Sequence, residues 1–219
     1  MSNLSFKTKP IRAALALSLA AALPASAMFA TEPVEAAAGD LDKAVGALRA
    51  ISTMKADFVQ TDRNGQSVSG QMTLKRPGKI RFQYEKSVPM LVVSKGRSMH
   101  LVDYEVNQVQ RWPIKSSPLG ALLDPSRDVK KYGKLLPTNH PDVISIEVRD
   151  TRHPEYGVIT LIFSRDASAP GGLQLTHWVA LDSQNNRTTV RLRNQRYGVS
   201  VADSAFSFKD PRKTSRRPR

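Results

Sequence analysis

Between Val68 and Val109 apolar and polar residues alternate in short runs, and turn residues mark where each run stops. The first reads Val68-Ser-Gly-Gln-Met-Thr-Leu-Lys and is closed by Arg76-Pro77-Gly78; Ile80-Arg-Phe-Gln-Tyr follows. Pro89 and Lys95-Gly96 then separate Met90-Leu-Val-Val-Ser from Met99-His-Leu-Val. Period-two alternation bounded by turns requires consecutive antiparallel strands with one buried face. Successive side chains point to opposite sides, so Val68, Gly70, Met72, Leu74 and Arg76 share a row, as do Ile80, Phe82 and Tyr84. Arg76 therefore closes a mostly apolar row, the strangest placement in the chain.

The remaining sequence extends this plan. Asp40 reads as an N-cap for an amphipathic helix of about three turns through Leu41, Ala44, Val45, Leu48 and Ile51. Met54 to Thr61 alternates, with Ala56, Phe58 and Gln60 on one face, and Asn64-Gly65 is a hairpin turn. Ser117 and Pro118 open a short helical insertion, Leu119 to Leu123, ended by Asp124-Pro125. Strands resume at Asp142 with Ile144, Ile146 and Val148, and continue through Gly157 to Ser164, Leu173 to Leu181 and Arg187 to Tyr197. The expected class is mainly β: one antiparallel meander of ten to eleven strands with one N-terminal helix and one helical insertion.

At 219 residues the chain has room for a single large core. Its formal charge of +14 falls to +6 once two terminal groups are set aside: Lys7, Lys9 and Arg12, and Arg212, Lys213, Arg216, Arg217 and Arg219. A basic start, an Ala/Leu-rich run from Ala13 to Leu23 and Ala25-Ser-Ala27 form the plan of a signal peptide, residues 1–27, too short in its apolar part to span a bilayer. Residues 28–39 read as a flexible leader, 40–210 as one domain and 211–219 as a disordered basic tail. Cysteine is absent, so disulfide and thiol chemistry are excluded. The expected location is the periplasm. With few aromatics among the basic residues, nucleic acid is not an expected partner.

Enzymatic chemistry finds no residues to rest on. His100, His140, His153 and His177 are scattered without metal-ligand spacing, and no nucleophile elbow, phosphate loop or dinucleotide fingerprint occurs. No cofactor is expected. A sheet this long must curve, and only one helix and one insertion are available to cover its apolar face. Phe58, Met72, Leu74, Ile80, Phe82, Leu91 and Val93 on the inner rows, with Leu119, Leu122 and Leu123 of the insertion, are the expected lining of a cavity for an apolar ligand.

The run Leu74-Lys-Arg-Pro-Gly-Lys-Ile-Arg-Phe-Gln-Tyr-Glu, then Pro89-x-Leu-Val-Val-Ser-x-Gly and Leu101-x-x-Tyr-Glu-Val-Asn-Gln-Val, resembles the periplasmic outer-membrane lipoprotein carriers, the LolA family. Phe58-x-Gln60 and Phe206-x-Phe208 fit the same pattern. The resemblance implies an unclosed barrel of about eleven strands lidded by helices, acyl chains of a lipoprotein held between, and a monomer. It also implies an inner-membrane lipoprotein-releasing transporter and an outer-membrane receptor as partners. The family's lid-holding arginine corresponds to Arg76. Its guanidinium is expected to bond C-terminal carbonyls of the helix or the insertion, because an unpaired buried charge is costly. A carrier of non-protein lipids and a lipid-sensing regulatory module are the competing readings.

Overall fold

The computed structural model describes residues 34–123 and 129–212. The expected signal peptide, the start of the leader and most of the basic tail lie outside the described residues. Helix α1 (Val34–Ala50) leads into β1 (Thr53–Thr61), β2 (Ser67–Lys75), β3 (Lys79–Tyr84), β4 (Met90–Lys95), β5 (Ser98–Asp103) and β6 (Gln108–Pro113). A connection holding α2 (Gly120–Leu123) and α3 (Val129–Tyr132) follows. The chain then runs through β7 (Gly133–Leu136), β8 (Val143–Arg149), β9 (Val158–Arg165), β10 (Leu173–Leu181) and β11 (Arg187–Tyr197).

All eleven strands belong to one antiparallel sheet in the order β6-β5-β4-β3-β2-β1-β11-β10-β9-β8-β7. Every pair of strands consecutive in sequence is adjacent in space except β6 and β7, and one long-range pairing, β1 with β11, joins the two halves. The sheet is not closed into a barrel, and its break falls between β6 and β7. The connection carrying α2 and α3 begins and ends at that break.

Residues sharing a row in the sequence share a face in the structure. Met54, Ala56, Phe58, Met72, Leu74, Ile80, Phe82 and Tyr84 are buried on the inner face, with Ile144, Ile146, Val148, Trp178, Val190 and Leu192 from the far strands. Helix α1 covers part of this face with Ala44, Val45, Ala47, Leu48 and Ile51. It begins at Val34 rather than at Asp40: Glu35 and the three alanines that follow are strong helix formers, and the helix runs on through Gly39. Asp40 is therefore not a cap. It lies within the helix, and its carboxylate accepts two bonds of 3.1 Å from Arg165 at the end of β9. Residues 34–39, expected in a flexible leader, are helical.

Leu91 and Val93 depart from the expected arrangement. Phe82 pairs with Val92, which puts Val92 on the inner face and turns Leu91 and Val93 outward beside Gln83 and Arg81. Period-two counting on from Phe82 and Tyr84 reaches Met90 and Val92, but Met90-Leu-Val-Val is apolar on both sides, so the composition of the run does not show which side faces inward. On the outer face Leu91 and Val93 form a second core with Val102, Val201 and Phe206. The C-terminal segment lies over this patch. Lys75 donates to the Val201 carbonyl (2.9 Å), and Arg81 donates to the carbonyls of Ala205 (3.2 Å) and Ser207 (2.9 Å). Asp203 pairs with Lys75 (2.7 Å) and Lys79 (2.8 Å).

Hydrogen bonds from Lys75 and Lys79, reinforced by their charges, hold the Asp203 carboxyl down at about 2, below its ordinary 3.8. A depressed folded-state value stabilises above the ordinary value and is lost as pH falls through the folded one. NMR signals of Phe206 and Phe208 are thus expected to stay unchanged from pH 7 down to about 4 and to move between there and about 2. A transition centred near neutral pH would show that this ion pair does not hold the segment.

Candidate functional site

Between β6 and the β10–β11 hairpin the inner face is incompletely covered. A groove of about 320 Å³ remains there, floored by Phe82, Val190 and Trp178 and walled by Trp112 of β6 and Leu119 before α2. The floor is rigid by ring packing. Phe58 meets Phe82 and Tyr84 edge to face with centroids 5.2 and 5.3 Å apart, and Phe82 meets Trp178 at 6.1 Å. Such offset geometries set the electropositive ring edge against the neighbouring face.

Few polar groups reach the groove. The Tyr84 hydroxyl donates to Gln60 Oε1 at 2.8 Å, and burial pushes its pKa up to about 12, so it adds no charge. Asp182, Asn186 and Thr188 mark one end. Burial opposes the charge of Asp182, but bonds from Asn186 and Gln184 outweigh it and hold this carboxyl below its ordinary value. The site is thus a greasy slot with a polar rim, suited to hydrocarbon with a polar head left at the edge. Among the described residues no group of three His, Asp or Glu side chains could hold a metal ion.

The ten apolar positions singled out from the sequence divide three ways. Phe82 and Leu119 line the groove. Phe58, Met72, Leu74, Ile80, Leu122 and Leu123 are buried in the inner core beside it, packed against other side chains of the chain. Leu91 and Val93 lie on the opposite face, and their place in a lining is corrected by the β3–β4 register. Sequence reasoning missed Trp112 and Trp178. Trp178 falls in the same row as Leu175 only after a bulge between Leu175 and His177 breaks the alternation. Trp112 was legible as the inward partner of Met99 once β5 and β6 are paired.

Arg76 sits where the lid meets the sheet. The turn Arg76-Pro77-Gly78 holds both covering elements through its backbone: Arg76 N–H donates to Ser52 O (2.8 Å), just beyond α1, and Gly78 N–H to Leu123 O (3.1 Å), at the end of α2. The guanidinium does not make the expected bonds. Among the described residues its buried Nε and Nη2 have no hydrogen-bond partner, and burial lowers its pKa from the ordinary value. Carbonyls at a helix end were available in principle, but here the backbone N–H of Gly78 takes the Leu123 oxygen.

An unclosed antiparallel half-barrel, covered by helix on its apolar side and left with a groove on that same face, is the class this fold and site define. The family model described as outer membrane lipoprotein carrier protein LolA matches residues 49–209, and the chain belongs to that family. An outer-membrane lipoprotein carrier protein of Dechloromonas aromatica is 38% identical over 112 residues, covering 47% of this chain and 53% of the relative, about half its length. One from Xanthomonas campestris pv. campestris is 25% identical over 197 residues, covering 85% and 90%. Among solved structures, a LolA superfamily protein from Nitrosomonas europaea aligns with a TM-score of 0.45 at 11% identity, covering 78% of this chain and 97% of that one.

Proposed function

We propose that this chain is a soluble periplasmic carrier that takes the acyl chains of lipoproteins into the groove and ferries them from the inner to the outer membrane. It would receive them from an inner-membrane transporter and pass them to an outer-membrane receptor. The observation that carries this reading is the apolar groove on the inner face between β6 and the β10–β11 hairpin, in a chain of the lipoprotein carrier family. Each buried CH₂ contributes about 0.8 kcal/mol, so acyl chains have a strong reason to leave water for such a surface. At about 320 Å³ the groove is at the small end of ligand sites. Loading therefore involves displacement of α2, whose Leu122 and Leu123 fill the adjoining inner face. Among the described residues one backbone bond, Gly78 N–H to Leu123 O, ties α2 to the turn after β2; its displacement breaks that bond, and the entering hydrocarbon takes the place of its buried leucines.

In this reading Arg76 sets how firmly cargo is kept. Its guanidinium has two buried donors without acceptors while the residue as a whole is still half-buried. Hydrocarbon entering beside it would strip away its remaining water, and that desolvation cost weakens retention so that cargo can be handed on without an energy source.

Mass spectrometry of what copurifies from the periplasm tests the cargo. Acylated polypeptide supports the proposal; free glycolipid or phospholipid alone favours a carrier of non-protein lipids. Depletion should leave lipoproteins at the inner membrane. Leu119→Asp, at a half-buried groove position, is expected to lower affinity for a fluorescent fatty-acid analogue by roughly tenfold or more, since a carboxylate under hydrocarbon costs several kcal/mol. Unchanged affinity would place the binding surface elsewhere.

A further inference from the structure

The sheet has two edges, and they are treated differently. Strand β7 has only four residues, whereas β6 offers six, Gln108 to Pro113, and pairs with β5 without a bulge. Natural sheets blunt exposed edges by shortening them, bulging them or placing lysine on them, because a free ladder invites another strand. Strand β6 is neither short nor bulged and carries no lysine; its only edge protection is the charge of Arg111 and a proline at its last position.

The phase of the ladder shows which groups are free. Ile114 N–H donates to Arg97 O at 2.9 Å, so the pairs Trp112–Met99, Gln110–Leu101 and Gln108–Asp103 face each other as hydrogen-bonded pairs. The backbone N–H and C=O of Val109 and Arg111 consequently point away from β5. No backbone or side-chain bond among the described residues reaches them. The same strand supplies Trp112 to the groove wall, while the hairpin tip at its other end exposes Tyr104 and Val106. Hydrocarbon and a free pairing edge are thus offered by one six-residue strand.

We propose that β6 is the docking edge for the extended peptide that leaves the lipid of an acylated polypeptide, which adds as a further strand beside Val109 and Arg111. This rests on the carrier reading of the groove and names how the polypeptide part of the same cargo is held. A peptide covalently joined to chains in the groove leaves a slot that has Trp112 in its wall, within reach of this edge. Tethering raises its effective concentration at the edge, so a few backbone bonds suffice where a free peptide would bind poorly.

The test compares two probes: a synthetic diacylated peptide with an extended polar stretch, and the same diacyl group on a lone cysteine amide. Arg111→Pro removes one outward N–H without breaking the ladder to β5, because proline is tolerated on the free side of an edge strand. Arg111→Ala controls for the bond from Arg111 Nε to Ser98 Oγ (2.9 Å). The native protein should bind the diacylated peptide more tightly than the lone diacyl probe. Arg111→Pro should lose roughly fivefold for the peptide only, the worth of one backbone bond, and Arg111→Ala should lose little. Should Arg111→Pro fold poorly, alternate N-methylation of the peptide removes the reciprocal bonds, those its N–H groups donate to the Val109 and Arg111 carbonyls, and is expected to give a comparable or larger loss on the native protein. Equal binding of both probes by native protein would overturn the edge proposal and leave the carrier reading standing. Binding of neither would overturn the carrier reading itself. A native dimer that Arg111→Pro converts to monomer would show the edge to be filled by a second copy instead.

Discussion

Phe58→Ala is expected to lower stability by about 3–5 kcal/mol, the usual result of emptying a buried aromatic site. For a domain of this size that corresponds to a fall in melting temperature of roughly 6–20 °C, measured by calorimetry or denaturant titration. Phe58 is 1% exposed and holds the edges of Phe82 and Tyr84 in place. The strand opposite is shaped around it: Gly70 pairs with Phe58, and a Cβ at Gly70 would stand 2.1 Å from the Gln83 carbonyl and 2.9 Å from the Phe58 ring. Glycine is needed there for close approach, so the site cannot refill by a small inward shift of β2. The emptied space adjoins the groove floor, and Phe58→Ala is also expected to bind small hydrocarbons that the native protein excludes. A loss below about 1 kcal/mol would mean that this ring cluster is not the keystone of the inner core.

Arg76→Leu is expected to have two effects of one origin. Removing buried guanidinium donors that have no acceptor should stabilise the empty protein by about 1–2 kcal/mol, since a half-buried leucine leaves nothing unsatisfied. The turn should persist, because its grip on Ser52 and Leu123 is made by backbone groups that the substitution leaves intact. The same change removes the desolvation cost that loading imposes. The variant should take up lipid at least as well as the native protein and pass it on roughly tenfold more slowly or worse. A calorimetric scan of the delipidated protein and a transfer assay into acceptor vesicles carrying the receptor read the two effects separately. Hand-over at the native rate would sink the proposed role of Arg76 in retention.

The inner face was largely legible in advance. Alternation between Val68 and Tyr84 assigned Met72, Leu74, Ile80 and Phe82 to one buried side, and the register agrees. Leu91 and Val93 escaped that logic because Met90-Leu-Val-Val is apolar at every position, and a strand buried on both sides shows no alternation to assign a face. Their neighbours on the outer face, Val201 and Phe206, come from more than a hundred residues away, and nothing local announces that a C-terminal segment will cover a strand's far side. The N-terminal helix was legible as a helix but not in its length. Asp40 had the chemistry of a cap, and only the position of Arg165 shows that it serves as an ion-pair partner instead.

Local physics written into the residues determined the elements themselves: period-two rows make strands, Pro-Gly and Asn-Gly end them, and the chain's order makes a meander. Long-range decisions belonged to the tertiary structure. It decided that β1 pairs with β11 so that the gap falls between β6 and β7, that most of the inner face is filled by the chain's own side chains, and that the guanidinium of Arg76 is left without an acceptor. Those outcomes depend on which distant surfaces compete for the same burial and the same carbonyl, and a residue's neighbours in sequence carry no information about that competition.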